Sequence, residues 1–194
     1  IRLQNIDNTN NLPAIKIANN ADNININNVQ IGDRFSTNSN YNTGIEANNA
    51  NDIIINNSQI YVFADQENAI GIYANHIDNL NVFNSTIIAE AKNSSKNDQL
   101  GNAYGILIGK DNFSISDYKT AEIVGNNLQI DNSTIIGKGF SDDGKNSGNG
   151  YGILIGYGNG YINNGGNLSI HNNTIDISTA NYQAMAMVVQ LSLE

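Results

Sequence analysis

Apolar and polar residues alternate along this chain in short stretches, and one such stretch returns five times: Ile24–Ile31, Ile53–Ile60, Leu80–Ile87, Leu128–Ile135 and Leu168–Ile175. Its pattern is aliphatic, any, aliphatic, any, Asn, a small or polar residue, Thr or Gln, Ile. Alternation with a period of two predicts strands, because successive side chains of a strand point to opposite faces. Helical spacing fails, since Asn, Gly and β-branched residues stand where helix formers belong.

A second stretch precedes the later copies: Gly44-Ile45-Glu46-Ala47, Gly71-Ile72-Tyr73-Ala74, Tyr104-Gly105-Ile106-Leu107-Ile108-Gly109 and Tyr151-Gly152-Ile153-Leu154-Ile155-Gly156. Ala14-Ile15-Lys16-Ile17 is an earlier copy, and Ala184-Met185-Ala186-Met187 a truncated later one. The shortest periods are about 27 to 29 residues, in the range of repeats that stack on one another. The pattern therefore predicts an all-β stack of about five to six coils, each with three short strands: the Gly-Ile stretch, the Leu-x-Ile stretch, and the Ser-Thr-Ile stretch after the Asn. Parallel pairing between coils would make three sheets around one core. Ile45, Ala47, Ile53, Ile55 and Ile60 are expected inward in one coil, and Ile72, Ala74, Leu80, Val82 and Ile87 in the next.

Asn28, Asn57, Asn84, Asn132 and Asn172 fall between two strands, where the chain must turn. Asn accepts left-handed backbone geometry, and its amide both donates and accepts. The expectation is a buried ladder of amides, about 4.8 Å apart, with one rung per coil. On that view the Asn-x-Ser/Thr triplets Asn84-Ser85-Thr86 and Asn132-Ser133-Thr134 are buried and are not glycosylation sites.

Composition narrows the function classes. Charged residues are 14% of the chain and its net charge is −9, so nine Lys and Arg offer no track for a phosphate backbone. No run of 18 apolar residues is present to span a bilayer. Asn occupies roughly a fifth of positions, well above ordinary usage. The chain has no Cys, which is compatible with export, as a repetitive core does not need disulfides. It starts at Ile1 without a signal peptide, and we read residues 1–192 as a single domain from a larger protein, with Leu193-Glu194 as a cloning remnant. Its cut coil ends are candidates for self-association.

The repeated Leu/Ile-x-Ile/Val-x-Asn-Ser-Thr-Ile stretch, with its Asn column, resembles the right-handed parallel β-helices of bacterial autotransporter passenger domains and related adhesins. The likeness covers nearly the whole chain. It implies a right-handed parallel β-helix, secreted or held on the bacterial outer surface, with a role in adhesion or virulence and a host-cell protein or glycan as partner. The same scaffold also carries polysaccharide lyases and hydrolases and plain spacers, so function must be argued from sites.

Those sites are expected in long connections. The period grows to about 48 residues after Leu80 and about 40 after Leu128. Ala91–Asn102 and Lys138–Gly150 then follow the third strand, and Lys110–Gly125 and Tyr157–Gly166 the first. Loops held by a rigid scaffold commonly carry recognition. Phe113, Tyr118, Phe140, Asp142, Asp143, Tyr157 and Tyr161 are the candidate binding residues. Tyr104 and Tyr151 occupy equivalent positions and are expected to stack, while Leu107 and Leu154 point outward under the loops.

Catalysis is not expected. His76 lies in a predicted turn without a relay partner, and His171 sits inside a repeat. Asp142-Asp143 matches no calcium motif and reads as a solvated turn. The outer columns are expected to carry Asn, Gln, Thr and Ser rather than the paired acids of a glycosidase. No residue pattern calls for a metal or cofactor.

Overall fold

The structure, a computed structural model, describes residues 2–3, 12–35, 41–93, 101–108, 125–141, 149–155, 167–171 and 174–179. All of its regular elements are strands: β1 (Arg2–Leu3), β2 (Ile15–Ile17), β3 (Ile24–Asn27), β4 (Gln30–Ile31), β5 (Thr43–Asn56), β6 (Gln59–Asp65), β7 (Ala69–Phe83), β8 (Thr86–Asn93), β9 (Ala103–Ile108), β10 (Gly125–Asp131), β11 (Thr134–Ser141), β12 (Gly150–Ile155), β13 (Asn167–His171) and β14 (Thr174–Thr179). Every strand pair is parallel. Parallel neighbours cannot be joined by a tight hairpin, and here each strand meets its counterpart from the next repeat.

The strands form two sheets. One contains the Ser-Thr-Ile stretches in the order β1-β4-β6-β8-β11-β14, and the other holds both remaining stretches. The three strands expected per coil are separate in β2, β3 and β4, in β9, β10 and β11, and in β12, β13 and β14; the first two ladders share one sheet, rather than two, through β5 and β7 alone. In β5 and β7 the first two stretches run on as one strand of 14 and 15 residues, and pairing continues through the intervening residues from Ile45↔Ile72 to Asn56↔Phe83. Ala50 and Ile77, which join the two stretches, are buried, and β5 bends between the stretches at Asn49, whose backbone is left-handed (φ 49°).

Register follows the repeat. Ile53, Leu80, Leu128 and Leu168 align, as do Gln59, Thr86, Thr134 and Thr174. Ile45, Ala47, Ile53, Ile55, Ile60, Ile72, Ala74, Leu80, Val82 and Ile87 are all buried, as the alternation predicted. Each fully buried aliphatic side chain contributes about 1.5–3 kcal/mol by leaving water.

At one inward position facing the isoleucines of the other sheet, successive repeats carry glycine: Gly44, Gly71 and Gly105. A Cβ on Gly44 would lie 2.6 Å from Ile60 Cγ2 and 2.6 Å from the Gly71 carbonyl; one on Gly105 would lie 2.5 Å from Ile135 Cγ2 and 2.5 Å from the Gly152 carbonyl. Gly71 meets Ile87 and Gly105 in the same way. The glycine column lets the isoleucines of the facing sheet pack against backbone.

Candidate functional site

Asn28, Asn57, Asn84 and Asn132 share one corner, each with a left-handed backbone (φ 53, 47, 46 and 48°). Their backbone N–H groups extend the interstrand ladder, Asn57 N to Phe83 O (3.2 Å) and Asn84 N to Asp131 O (3.1 Å). Their side chains, however, are exposed, which corrects the expected buried amide ladder. The Asn84 amide donates sideways to Asn56 Oδ1 at 3.1 Å. Asn172 lies outside the described residues.

The buried ladder belongs to the next residue. Ser58, Ser85 and Ser133 are 1%, 3% and 3% exposed. Ser58 N donates to Ser85 Oγ (3.1 Å) and Ser85 N to Ser133 Oγ (3.2 Å), while Val29 N donates to Ser58 Oγ (3.3 Å). Each hydroxyl donates in turn to the carbonyl two residues earlier, at 2.6–2.9 Å. A buried N–H needs a partner, and serine supplies it from the neighbouring repeat. The triplets at Asn84 and Asn132 therefore have an exposed Asn and a buried Ser, and burial of the Asn is no ground against modification there.

A side-chain ladder of Asn does exist, at a different corner. Asn102 N donates to Asn68 Oδ1 (2.8 Å) and Asn149 N to Asn102 Oδ1 (2.8 Å), just ahead of β7, β9 and β12. Nearby, fully buried Asn93 pairs both ways with Gly101, through its amide to the carbonyl (3.0 Å) and from the N–H to its Oδ1 (2.6 Å). That pairing clamps the ends of 94–100. The sequence carries a signal for the second ladder, Asn-Ala-Ile-Gly-Ile and Asn-Ala-Tyr-Gly-Ile, which ordinary emphasis on the more abundant Asn column hides.

Of the candidate binding residues, Phe113, Tyr118, Asp142, Asp143, Tyr157 and Tyr161 lie outside the described residues. Phe140 is not in a loop: β11 runs to Ser141, and the half-buried ring stands on the outer face, 6.4 Å from Phe63, with Lys138 Nζ 5.3 Å from its centroid. β8 likewise extends to Asn93, so both expected loops after the third strand begin later than predicted. Tyr104 and Tyr151 do stack, at 5.2 Å and 6°. Leu107 is buried, making β9 covered on both faces. His76 lies within β7 rather than in a turn, and the His171 backbone pairs with Asp131.

The outer face of the six-stranded sheet carries a site that repeat reading missed. β4 stops at Ile31, where Gly32 adopts a left-handed φ of 68° and turns the chain away. Asp33 Oδ1 accepts from Phe35 N (2.9 Å) and shapes the turn. β6 continues past that register, so Tyr61 has no β4 partner on that side until Tyr41 bridges to Val62, while Ile88 stays paired with Tyr61 and Ile136. The result is a cleft of about 160 Å³ lined by Gln30, Asp33, Arg34, Phe35, Gln59, Tyr61, Thr86 and Ile88 together with the backbone at Ile31, Gly32 and Ile60. Phe35 is 97% exposed at its rim.

Glu90, on the same outer face of β8 as Thr86 and Ile88 and with its side chain largely buried, holds two of the cleft residues. It accepts from the Tyr61 hydroxyl at 2.7 Å and pairs with Arg34 Nη2 at 3.8 Å. Burial first, and then the hydrogen bond to Glu90 and its negative charge, push the Tyr61 phenol well above its ordinary range. The outer columns of this sheet thus hold Tyr61, Phe63, Glu90, Lys92, Lys138 and Phe140 beside the expected Gln and Thr, more charged and aromatic groups than the repeat led one to expect. Among the described residues no three His, Asp or Glu side chains gather to hold a metal ion, and no helix is long and apolar enough to cross a membrane.

Comparison with protein-family models, with curated proteins and with solved structures returned no match. The functional reading therefore rests on the geometry of the cleft and its sheet.

Proposed function

We propose that the chain is a length of right-handed parallel β-helix from a bacterial protein that is secreted or displayed at the cell surface, similar to autotransporter passenger domains, and that it acts by binding. Its partner is a host-cell surface protein or glycan. The observation that carries the reading is the cleft beside Gly32, where an exposed aromatic ring and hydrogen-bonding side chains converge on a rigid parallel sheet. Concave sites of this kind, mostly apolar with a few placed polar groups, are where ligands are held. The clamp at Asn93 and Gly101 supports display as well, since it anchors a connection to the same scaffold.

The test is adhesion of the purified chain to host epithelial cells and matrix proteins. Replacing Arg34 and Phe35 together by Ala should weaken binding about tenfold or more, a loss of about 1.4 kcal/mol. Undiminished binding would remove the cleft from the account and leave a spacer or loop-display role.

One observation favours a second reading. Asp33, Arg34, Tyr61 and Glu90 come together on one outer face, the kind of arrangement a carbohydrate-active enzyme uses. Release of reducing ends from a polysaccharide panel, abolished by Glu90→Gln, would establish that alternative.

A further inference from the structure

We infer that the cleft at the Gly32 turn is a subsite for one neutral pyranose ring, with Phe35 as the platform on which the ring stacks; this rests on the binding role proposed above. Size is the first argument. At about 160 Å³ the cleft falls below the roughly 300–1,000 Å³ of sites for drug-sized ligands and has room for a single ring.

Charge is the second argument. Arg34 already faces Glu90, whose side chain is only 12% exposed, and Asp33 is its chain neighbour. An incoming carboxylate, sulfate or phosphate would meet the half-exposed Arg34 guanidinium with the Glu90 and Asp33 carboxylates close beside it, two negative charges against one positive. A cation would compete with Arg34 for Glu90. A neutral ligand meets neither cost.

Chemistry is the third. Gln30, Gln59 and Thr86 stand in register across three strands, presenting donors and acceptors to one side of the cleft. Ile88 and the Tyr61 ring form an apolar floor, and the Tyr61 hydroxyl is committed to Glu90. A pyranose has the matching character, with equatorial hydroxyls around its edge and an apolar C–H face. Phe35, 97% exposed at the rim, supplies the aromatic surface for that face.

The experiment is saturation-transfer NMR and calorimetry on the full chain with lactose, cellobiose and mannobiose, alongside sialyllactose and a sulfated disaccharide. At least one neutral disaccharide should bind with a Kd on the order of 1 mM. Phe35→Ala should weaken it about tenfold, Phe35→Trp should retain it, and Gln59→Ala should weaken it; Phe35 and Gln59 are both exposed, so these variants keep the packed core. Charged sugars should bind no tighter than their neutral counterparts. Absence of neutral-sugar binding, indifference to Phe35→Ala, or preference for sialyllactose would overturn the inference. If no neutral sugar binds while cell adhesion is still lost on replacing Arg34 and Phe35, the cleft recognises a protein, and only the ligand class falls. If adhesion survives that double replacement, the binding role of the cleft falls with it.

Discussion

Ser85 shows how a single hydroxyl serves two repeats. It accepts from Ser58 N and donates to Phe83 O, in a position 3% exposed. Ser85→Ala should cost about 1–3 kcal/mol in chemical denaturation, because the Ser58 N–H is left buried without that acceptor. The neighbouring Asn84 matters for its backbone, at φ 46°. Asn84→Gly should cost only a few tenths of a kcal/mol, whereas Asn84→Val should cost about 1–2 kcal/mol through left-handed strain. Equal effects of the Gly and Val substitutions would show that the amide, not the turn, is what the position requires.

Tyr61 supplies a residue-scale prediction in pH. Its phenol is held above the ordinary value by burial and by Glu90. The folded protein thus keeps a proton that the unfolded chain releases above about pH 10. The associated stabilisation is fully present below that pH and is lost as pH climbs toward the folded value. Denaturation midpoints measured through the alkaline range should fall for the native chain and fall less for Tyr61→Phe. Identical profiles would contradict the assignment.

At the scale of elements, the glycine column sets the spacing of the sheets. Gly105→Ala should cost about 1–3 kcal/mol, since the added methyl meets both Ile135 and the Gly152 carbonyl and only the side chain can yield. Thermal unfolding reads that cost directly. The alternation around Ile53, Ile55, Leu80 and Val82 made strand identity and facing legible in the sequence, because a two-residue period has one physical reading. The corners were less legible. Asn at a left-handed turn and Asn in a ladder share one letter, and only the fold separates exposed Asn57 from ladder-forming Asn102. The cleft was not legible, because it arises from a strand that stops: Gly32 ends β4 where β6 continues through Tyr61, a departure from the repeat rather than a match to it.

For the whole molecule, each function assigned depends on successive repeats lying parallel and in register. That arrangement places Gln30, Gln59 and Thr86 on one side of the cleft, and Glu90 within reach of both Tyr61 and Arg34. Asn25, Ile54, Asn81 and Gln129 form an outward column along the other sheet, each paired with its neighbour. The chain has no cysteine, so engineered pairs can be read without background. Adjacent strands are about 4.8 Å apart, within reach of a disulfide, whereas strands two apart are not. Oxidation of the Ile54→Cys, Asn81→Cys variant should form an intramolecular bridge, and oxidation of the Ile54→Cys, Gln129→Cys variant should not. Bridging of the second pair, or failure of the first, would contradict the stacked parallel register on which the account stands.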